Sequence, residues 1–432
     1  MARQHNLPLS WLRKYILPHQ DRKETVALKL PLEGIRMVEY GVFHAGPGGG
    51  GILGDLGAEV IKVENFKGDP MRKWEKTGAY NFGLPDGNSA MFISTNRNKK
   101  SICIGDITSG KGKEIFHRLV KGADVFLTNL RKSTKPKLGI DYETLSKINP
   151  KIIHVNVSGY GPEGPLEDHG AFDPLGQARS GVCYISGPER PTLLQIGVID
   201  QMTAISASYS IILGLLVREL RGFGQELHVS LYSASMWLTY PNFMFKSLLG
   251  IDAGVKWERE QHPVGRNLFQ CKDGRWIISC VHGEEKNWPR LCEAVGRKDL
   301  ITDERFATPQ ARETHNPEIV EIFDRIFLER TAKDWEEYFV GKGLFFCTAQ
   351  KVEEVLSDPQ ALASGYVDEM EYPDPRVGKV KIPGFPIHLT QCERPRTQSF
   401  GPKLGEHTDT VLRDMGYTEQ EVRRLKEENV VK

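Results

Sequence analysis

Short apolar segments alternate with helical stretches through the first half of the chain, and this alternation restricts the fold more than any other feature. The apolar segments span residues 34–42, 59–64, 101–106, 123–130 and 151–161. Strands separated by helices of this length form βαβ units, whose strands lie parallel in one sheet. We therefore predict an α/β fold with a doubly wound, Rossmann-like core.

A change of pattern after residue 200 indicates a second region. Apolar residues recur near helical spacing over 201–220 and predict one long helix. Residues 264–281 are typical of a β-hairpin that turns at Lys272–Gly274, and charge-rich helical segments follow to about residue 340. A hairpin followed by helical segments predicts a smaller α+β domain. Near the end of the chain, two helical segments join at Gly416-Tyr417.

The charge balance argues against one class of partner. The 432 residues include 57 Lys and Arg against 56 Asp and Glu, for a net charge of +1. General nucleic-acid binders show a clear basic excess. We therefore expect no nucleic-acid partner, and any anionic ligand must be held by a local cluster of cations.

The cysteines and the N-terminus bear on the cellular compartment. Seven cysteines are scattered without a CxxC pair, which favours reduced thiols over a disulfide framework or a zinc site. We expect a cytoplasmic protein that holds no metal. The N-terminal segment has no apolar stretch long enough for a signal peptide or a membrane span, so no membrane attachment is expected. We interpret residues 1–28 as an N-terminal appendage.

A glycine run, AGPGGGG at 45–51, lies between the first strand and a predicted short helix, ILGDLGA. Two interpretations remain open. The run can form a tight turn, or its backbone amides can face an anionic ligand at the start of the helix. No Gly-Lys-Ser/Thr follows, and no acidic residue clearly marks a ribose partner, so the run does not indicate a phosphate-binding P-loop or a dinucleotide fingerprint.

Basic residues lie next to several predicted strands. They are Arg72 and Lys73, then Arg97, Lys99 and Lys100, and finally Arg131, Lys132, Lys135 and Lys137. Ligands bind at the carboxyl ends of strands in open α/β sheets, so converging cations there could hold a phosphorylated nucleotide. Solvated loop charges explain the same residues equally well.

Several phrases together resemble the class III CoA-transferases, the family of formyl-CoA transferase and carnitine CoA-transferase. In chain order they are ILGDLGAEVIKVE with GDPMR, TNRNKKSI, ADVFLTNLR with KLGIDYETL, INPKIIHVNVSGYGPEGP, FDPLGQARSG, GQELHVSLYSASM and LGEHTDTVLRDMGYTEQE. They run from about residue 30 to 425, nearly the whole chain. These phrases most resemble those of transferases that act on 2-hydroxyacyl or aryl-substituted acids.

The resemblance implies an architecture and an assembly. It implies a homodimer of interlocked rings, in which a large Rossmann-like domain is built from both ends of the chain and a small domain from its middle. On this basis we divide the chain into the appendage (1–28), the first part of the large domain (29–224), the small domain with linkers (225–345) and the return to the large domain (346–432).

The resemblance also implies the chemistry. The family nucleophile maps to Asp200, which would relay CoA from an acyl-CoA donor to a carboxylic acid through aspartyl anhydride and aspartyl-CoA thioester intermediates. We expect Asp200 to cap a helix, because amide hydrogen bonds and the helix dipole would favour its ionised, nucleophilic form. Coenzyme A enters as a thioester substrate, and no permanently bound cofactor is expected.

Further positions carry over from the family one by one. His44 maps to a loop contact near the substrate carbonyl, or it only shapes the turn. The residues expected to bind CoA are Asn129, Leu130 and Lys137 by position in the family, and Arg72, Arg97 and Lys100 by location. Asn65 stands where an adenine-side Arg is common, which puts that one contact in doubt.

Two rival functions follow from departures within the same family. Acyl-CoA racemases share this fold, but Phe172 stands where they use a His, and Gln270 stands where a Glu assists them. Both departures point away from racemisation. Ile199 precedes Asp200 where a small residue is usual, so the chain could instead be one subunit of a two-subunit transferase.

The acids themselves are not specified by the sequence. An aromatic group falls in the region of the family's substrate pocket: Trp237, Tyr240, Phe243, Phe245 and Trp257. These side chains could line a pocket for an aryl or branched acid, although core packing explains them as well.

Overall fold

The structure is a computed structural model that describes residues 30–187, 189–194, 197–251, 257–281 and 284–432. The predicted N-terminal appendage lies outside these residues. The chain forms two compact units. The first comprises 30–180, 197–238 and 368–432, and the second comprises the described parts of 181–194 and 239–367.

The strands and helices have the following bounds. The strands are β1 Arg36–Tyr40, β2 Glu59–Glu64, β3 Lys76–Thr77, β4 Tyr80–Asn81, β5 Lys99–Cys103, β6 Val125–Thr128, β7 Ile153–Ser158, β8 Gln225–Ser230, β9 Leu268–Gln270, β10 Trp276–Ser279, β11 Phe346–Thr348, β12 Val367–Glu371 and β13 Lys379–Pro383. The helices are α1 Ala45–Asp55, α2 Ala90–Asn96, α3 Gly110–Lys121, α4 Lys135–Leu138, α5 Tyr142–Ile148, α6 Asp173–Arg179, α7 Val182–Ser186, α8 Val198–Arg221, α9 Leu231–Leu238, α10 Tyr240–Leu249, α11 Glu284–Ala294, α12 Asp299–Thr302, α13 Pro309–Thr314, α14 Asn316–Phe327, α15 Ala332–Gly341, α16 Val352–Val355, α17 Pro359–Ala363, α18 Thr408–Asp414 and α19 Glu419–Glu427.

A six-stranded parallel sheet forms the centre of the first unit, with the strand order β5-β2-β1-β6-β7-β8. The prediction of an α/β fold with a parallel sheet is therefore confirmed. The central strands are almost wholly buried because two apolar layers pack on the sheet, one around Phe116 and Phe126 and the other around Leu127 and Ile211. Strands buried on both faces are expected to be mostly apolar, and the charged residues that these strands bury are ion-paired.

The glycine run is helical, which neither interpretation of the sequence anticipated. Helix α1 begins at Ala45, directly after the loop that follows β1. Its glycines leave room for neighbours: a Cβ on Gly48 would lie 2.8 Å from the Ala204 Cβ of α8, and one on Gly49 would lie 3.2 Å from the Ala207 Cβ. Glycine normally disfavours a helix interior, but here close packing against α8 requires it.

Helix α8 spans Val198–Arg221, slightly more than the helix predicted over 201–220. It is long and apolar enough to cross a bilayer by length and composition alone. One face packs inside the first unit through Ala204, Ala207 and Ile211, as a core helix does. Large apolar side chains on the same helix stay exposed, including Tyr209 and Leu216.

The C-terminal segment returns to the parallel sheet within the first unit. His407 Nδ1 accepts the backbone N–H of Ser101, and Thr408 Oγ1 accepts that of Cys103. Val431 forms a β-bridge with Ile104. The two helical segments predicted to join at Gly416-Tyr417 are α18 and α19, and their apolar residues belong to the same core as β5.

The second unit contains a three-stranded antiparallel sheet with the order β11-β10-β9. The hairpin predicted over 264–281 is confirmed as β9 and β10, whose turn places Gly274 at φ +75°. An aromatic core, with Phe327 stacked on Phe269, holds the sheet against the charge-rich helices α14 and α15. Residues 225–238 lie in the first unit, where β8 pairs with β7.

Gly50 provides a test of the packing around α1. A Cβ there would lie 2.3 Å from Glu39 Oε2, and Lys62 and Lys99 prevent this carboxylate from moving aside. We expect Gly50→Ala to lower the free energy of unfolding by about 1–3 kcal/mol, the usual cost of overpacking. Denaturant unfolding would measure this. The control is Gly341→Ala at the end of α15, where a Cβ meets nothing within 4 Å and the change should be small; equal effects of the two substitutions would contradict the packing explanation.

Candidate functional site

A cavity of about 740 Å³ opens in the first unit at the carboxyl ends of the parallel strands. The segments that line it follow β1 (42–45), β6 (129–132) and β7 (159–163), and Asp200 lines it from the first turn of α8. Open α/β sheets bind ligands at this edge because the loops there converge. The structure therefore places Asp200, His44, Asn129 and Leu130 in one cavity.

Asp200 does not cap its helix, contrary to the prediction. Gly197 occupies the N-cap position with φ +77°, and Asp200 is the third residue of α8. The amides at the start of α8 are accepted by another carboxylate: Asp173 Oδ2 accepts the N–H of Ile199 at 2.6 Å and that of Asp200 at 3.1 Å. The amide hydrogen bonds that were expected to favour ionised Asp200 go to Asp173 instead.

This arrangement raises the pKa of Asp200 to about 7, first through burial and then through the nearby Asp173 carboxylate. A buried acid with an acidic neighbour keeps its proton longer because both conditions penalise the charged form. Asp173 is itself buried and is held by Gln177, whose Nε2 donates to Oδ1 at 2.5 Å. The two carboxylates at the starts of α6 and α8 therefore form one coupled pair.

His44 stands at the end of the loop that precedes α1 and lines the same cavity. Its Nε2 lies 3.1 Å from Gln201 Oε1, one residue beyond Asp200, so Nε2 carries the proton in this contact. Within the described part of the chain, its Nδ1 is buried and has no hydrogen-bond partner. Burial lowers the pKa of His44. The ring is therefore a neutral imidazole that offers one N–H.

The basic residues of the cavity come from the loop after β6 and from α4. Arg131, Lys132 and Lys135 line the cavity, and Lys132 also pairs with Glu167 at 2.9 Å. Lys137, which was expected to contact CoA, is exposed on α4 and is not among the described lining residues. Asn129 lines the cavity, but both atoms of its amide are occupied, because Oδ1 accepts from Val42 N and Nδ2 donates to Val42 O.

The structure does not bring the other three predicted cations to this cavity. Arg72 donates to both oxygens of the Glu64 carboxylate and to Pro402 O. Arg97 pairs with Asp55 at 2.6 Å, and Lys100 pairs with Glu59 at 2.6 Å. The physical reason is charge compensation: partly or fully buried carboxylates lie closer to these cations than the cavity does, and burying charges without partners is costly.

Aromatic residues line the cavity together with Asp200, but they are not the group predicted from the sequence. Phe172 is 50% exposed and lines the cavity. It packs edge-on against Phe43 with ring centroids 5.1 Å apart, and Phe43 packs edge-on against Trp74. The aromatic residues predicted between 237 and 257 are exposed, and among the described residues none of them lines this cavity.

Sequence reasoning missed two features of the site. Asp173 holds the start of α8, and its position at the first turn of α6, directly before Pro174, was the available signal. Glu226, which also lines the cavity, accepts a hydrogen bond from Asn156 Nδ2 at 2.7 Å and lies 3.6 Å from His228. These residues come from the neighbouring strands β7 and β8, and only the sheet register brings them together.

The chain is similar to known proteins over most of its length. The model of CoA-transferase family III matches residues 32–408. The succinyl-CoA–D-citramalate CoA-transferase of Chloroflexus aurantiacus is 32% identical over 409 residues, which cover 93% of this chain and 98% of that protein. The cinnamoyl-CoA:phenyllactate CoA-transferase of Clostridium sporogenes is 30% identical over 409 residues, covering 91% and 96%.

Solved structures show the same fold. A CAIB/BAIF family protein from Brucella suis superimposes with a TM-score of 0.77 at 28% identity, covering 90% of this chain and all of that chain.

The raised pKa of Asp200 predicts a pH-dependent stability. Because folding raises the pKa of this acid, protonated Asp200 stabilises the fold below the unfolded pKa of about 4, and this contribution is lost as the pH rises through about 7. We expect Asp200→Asn and the wild type to have similar melting temperatures near pH 4, whereas above pH 7 the variant should melt higher. Asp173→Asn should move the midpoint of that difference to lower pH by removing the acidic neighbour. A difference that does not vary with pH would contradict the raised pKa.

Proposed function

The chain belongs to CoA-transferase family III, and we propose that it transfers CoA from an acyl-CoA donor to a carboxylic acid through Asp200 as the covalent relay. Transfer of CoA between acyl-CoA and carboxylic acids is the activity of its family. The position of Asp200 carries the finer proposal. Its carboxylate lines the cavity at the start of α8, next to the start of α1 and in the same cavity as three cations.

The first half of the proposed reaction loads CoA onto the enzyme. The Asp200 carboxylate attacks the carbonyl carbon of the donor thioester, and the C–S bond breaks to give an acyl-aspartyl anhydride and CoA thiolate. The thiolate then attacks the aspartyl carbonyl of this anhydride. The C–O bond breaks, the donor leaves as a carboxylate, and Asp200 is left as a thioester of CoA.

The second half repeats these steps with the acceptor. The acceptor carboxylate attacks the aspartyl thioester, expelling CoA thiolate and forming a second anhydride. The thiolate attacks the acceptor's acyl carbon, which releases acceptor-CoA and restores the Asp200 carboxylate. No net proton is consumed. Each intermediate reacts with water, so the half-buried position of Asp200 favours transfer over hydrolysis.

Donors for the developing oxyanions are available on the same side of the cavity. Helix α1 begins at Ala45, and the first amides of a helix have no partner within it. The Nε2–H of His44, which Gln201 accepts in this structure, is a second donor that can turn to a substrate oxygen. We assign His44 to this role because a neutral imidazole can donate without adding a permanent charge.

Coenzyme A itself fits the rest of the cavity. Its phosphates require cations, and Arg131, Lys132 and Lys135 lie along the cavity wall. Leu130 contributes an apolar contact, and Asn129 fixes the adjoining loop. Lys137 lies on the same short helix as Lys135 and remains a proposed phosphate contact from outside the lining.

The acyl group is proposed to be apolar, either aryl or branched. Phe172 and Phe43 line the same cavity as Asp200, and aromatic surfaces favour apolar groups over a second carboxylate. The relative named as a phenyllactate CoA-transferase supports this proposal, whereas the one named as a citramalate CoA-transferase indicates that the family also accepts a dicarboxylate.

A homodimer is proposed as the active assembly, with a Rossmann-like large domain in each chain, in the cytoplasm. The exposed apolar residues of α8, among them Tyr209, Leu213 and Leu216, support an extensive partner contact. An assembly with a second, related subunit is the alternative. The usual small residue before the nucleophile is Ile199 here, but its side chain is fully buried, so it leaves the cavity face of Asp200 unobstructed.

Racemisation of an acyl-CoA is less well supported. Phe172 lines the cavity where a racemase would present a His, and its ring cannot carry a proton. The pKa of Asp200, about 7, would suit proton transfer. Racemisation also needs a second acid–base group, and Phe172 does not supply one at its position.

Trapping tests the covalent relay. We expect an acyl-CoA donor followed by hydroxylamine to convert Asp200 to its hydroxamate, and borohydride to reduce its thioester to an alcohol, each located by peptide mass spectrometry. Asp200→Asn should abolish the mark. The matched control is Asp173→Asn, which removes the neighbouring carboxylate and should leave the mark on Asp200. A mark on another residue, or none with any donor, would overturn the proposal in its single-chain form.

Phe172 tests the acyl preference. We expect Phe172→Ala to lower kcat/KM for 3-phenylpropionate as acceptor about tenfold, the scale of a lost apolar contact, and to leave kcat/KM for acetate nearly unchanged. Phe245→Ala is the matched control, because Phe245 is 49% exposed and does not line the cavity. If Phe245→Ala has the larger effect, the aromatic group predicted from the sequence forms the acyl pocket instead.

A further inference from the structure

The loop that carries His44 is held from outside at each of the three residues that precede it. Lys62 Nζ donates to Gly41 O at 2.9 Å. The Asn129 amide accepts from Val42 N and donates to Val42 O. Asp69 Oδ1 accepts the N–H of Phe43 at 3.1 Å. We refer to residues 41–44 as the His44 loop.

Phe43 is the residue at which this loop needs support. Its φ is +63°, in the left-handed region that a bulky side chain seldom adopts because the conformation is strained. This turn directs the chain from β1 into α1 and places the His44 ring against Gln201 and the start of α8. If Phe43 relaxed to an extended conformation, the His44 ring would leave the side of Asp200.

Asp69 is built to hold that turn. Its side chain is almost fully buried, its Oδ1 also accepts the N–H of Met71 at 2.9 Å, and its own N–H donates to Glu64. Its Oδ2 pairs with Lys62 Nζ at 3.0 Å. The two hydrogen bonds to Oδ1 and the ion pair at Oδ2 hold the carboxylate against the loop.

The same lysine links Asp69 to a wider buried ion cluster. Lys62 Nζ also contacts Glu39 at 3.0 Å, Glu39 contacts Lys99 at 2.8 Å, and Lys99 donates to Pro47 O in α1 at 2.7 Å. A buried ionic cluster of this kind contributes little net stability, because desolvation offsets the Coulomb attraction. The cluster is better explained by its hydrogen bonds to Gly41 O and Pro47 O, which fix the positions of the His44 loop and of the start of α1.

We propose that Asp69 is a positioning residue for the transferase reaction: it fixes the left-handed turn at Phe43 and thereby holds the His44 ring beside Asp200. Asp69 is not among the described residues that line the cavity, so it acts through His44 and not on the substrate. The effect of Asp69 on turnover rests on the proposed function, whereas its effect on the position of the His44 ring does not.

The structural consequence is tested without activity by NMR of the His44 imidazole. Burial lowers the pKa of His44 in the intact loop. We expect Asp69→Ala to return this pKa to the ordinary range, because the ring becomes solvated, and Asp69→Asn to have a smaller effect, because the amide oxygen still accepts from Phe43. The control is Asp124→Asn, which weakens contacts with Arg36 and Arg218 ahead of β6. An unchanged His44 pKa in Asp69→Ala would overturn the proposal.

The kinetic consequence is tested by a double-mutant cycle with His44→Ala. We expect Asp69→Ala to lower kcat at least tenfold while KM for the acyl-CoA donor changes less than about twofold, and to lower kcat less than about twofold when His44 is already alanine. Asp124→Asn should lower the melting temperature and spare kcat.

Equal effects of Asp69→Ala in both backgrounds would show that Asp69 does not act through His44. A wild-type enzyme without transferase activity would instead overturn the proposed function, and the NMR result would still decide the role of Asp69.

Discussion

The close contact between helices α1 and α8 is the constraint on which the site depends. Gly48 and Gly49 meet Ala204 and Ala207, so that the two helix axes approach more closely than larger side chains would permit. Because both helices begin near the same edge of the sheet, this contact brings His44 and Asp200 to one cavity. The glycines thus serve packing between helices and affect the chemistry through the positions that this packing sets.

Charged groups are paired in the buried cluster that supports the site, whereas Asp200 at the cavity wall has no cation partner in the part of the chain that the structure describes. In the buried cluster around Glu39, which does not line the cavity among the described residues, the carboxylates and lysines are paired and so form a fixed scaffold. At the cavity wall, Asp173 accepts the hydrogen bonds of the amides at the start of α8, and burial together with the Asp173 carboxylate raises the pKa of Asp200. A carboxylate of this kind is a stronger nucleophile once ionised than one stabilised by a helix cap, because it is less well solvated.

The fold was largely predictable from the sequence, whereas the site was only partly so. Apolar runs predicted the buried strands because most side chains of a parallel sheet covered on both faces are removed from water, and family phrases indicated Asp200. The glycine helix was missed because intrinsic propensity opposes it, and close packing against other elements, including the alanines of α8, explains it. The locations of Arg72, Arg97 and Lys100 depend on long-range pairing with buried carboxylates, which local sequence does not reveal. The domain boundaries and the interlocked dimer stay predictions.

The transfer of oxygen tests the central claim most directly. If an acceptor acid labelled with ¹⁸O in its carboxylate attacks the Asp200 thioester, the bridging oxygen of the resulting anhydride stays with Asp200 when CoA leaves with the acceptor's acyl group. The account predicts ¹⁸O in the Asp200 peptide after turnover, and then in the released donor acid. Label in the donor acid without label in Asp200 would contradict it, because the two acids would then exchange CoA without a covalent enzyme intermediate.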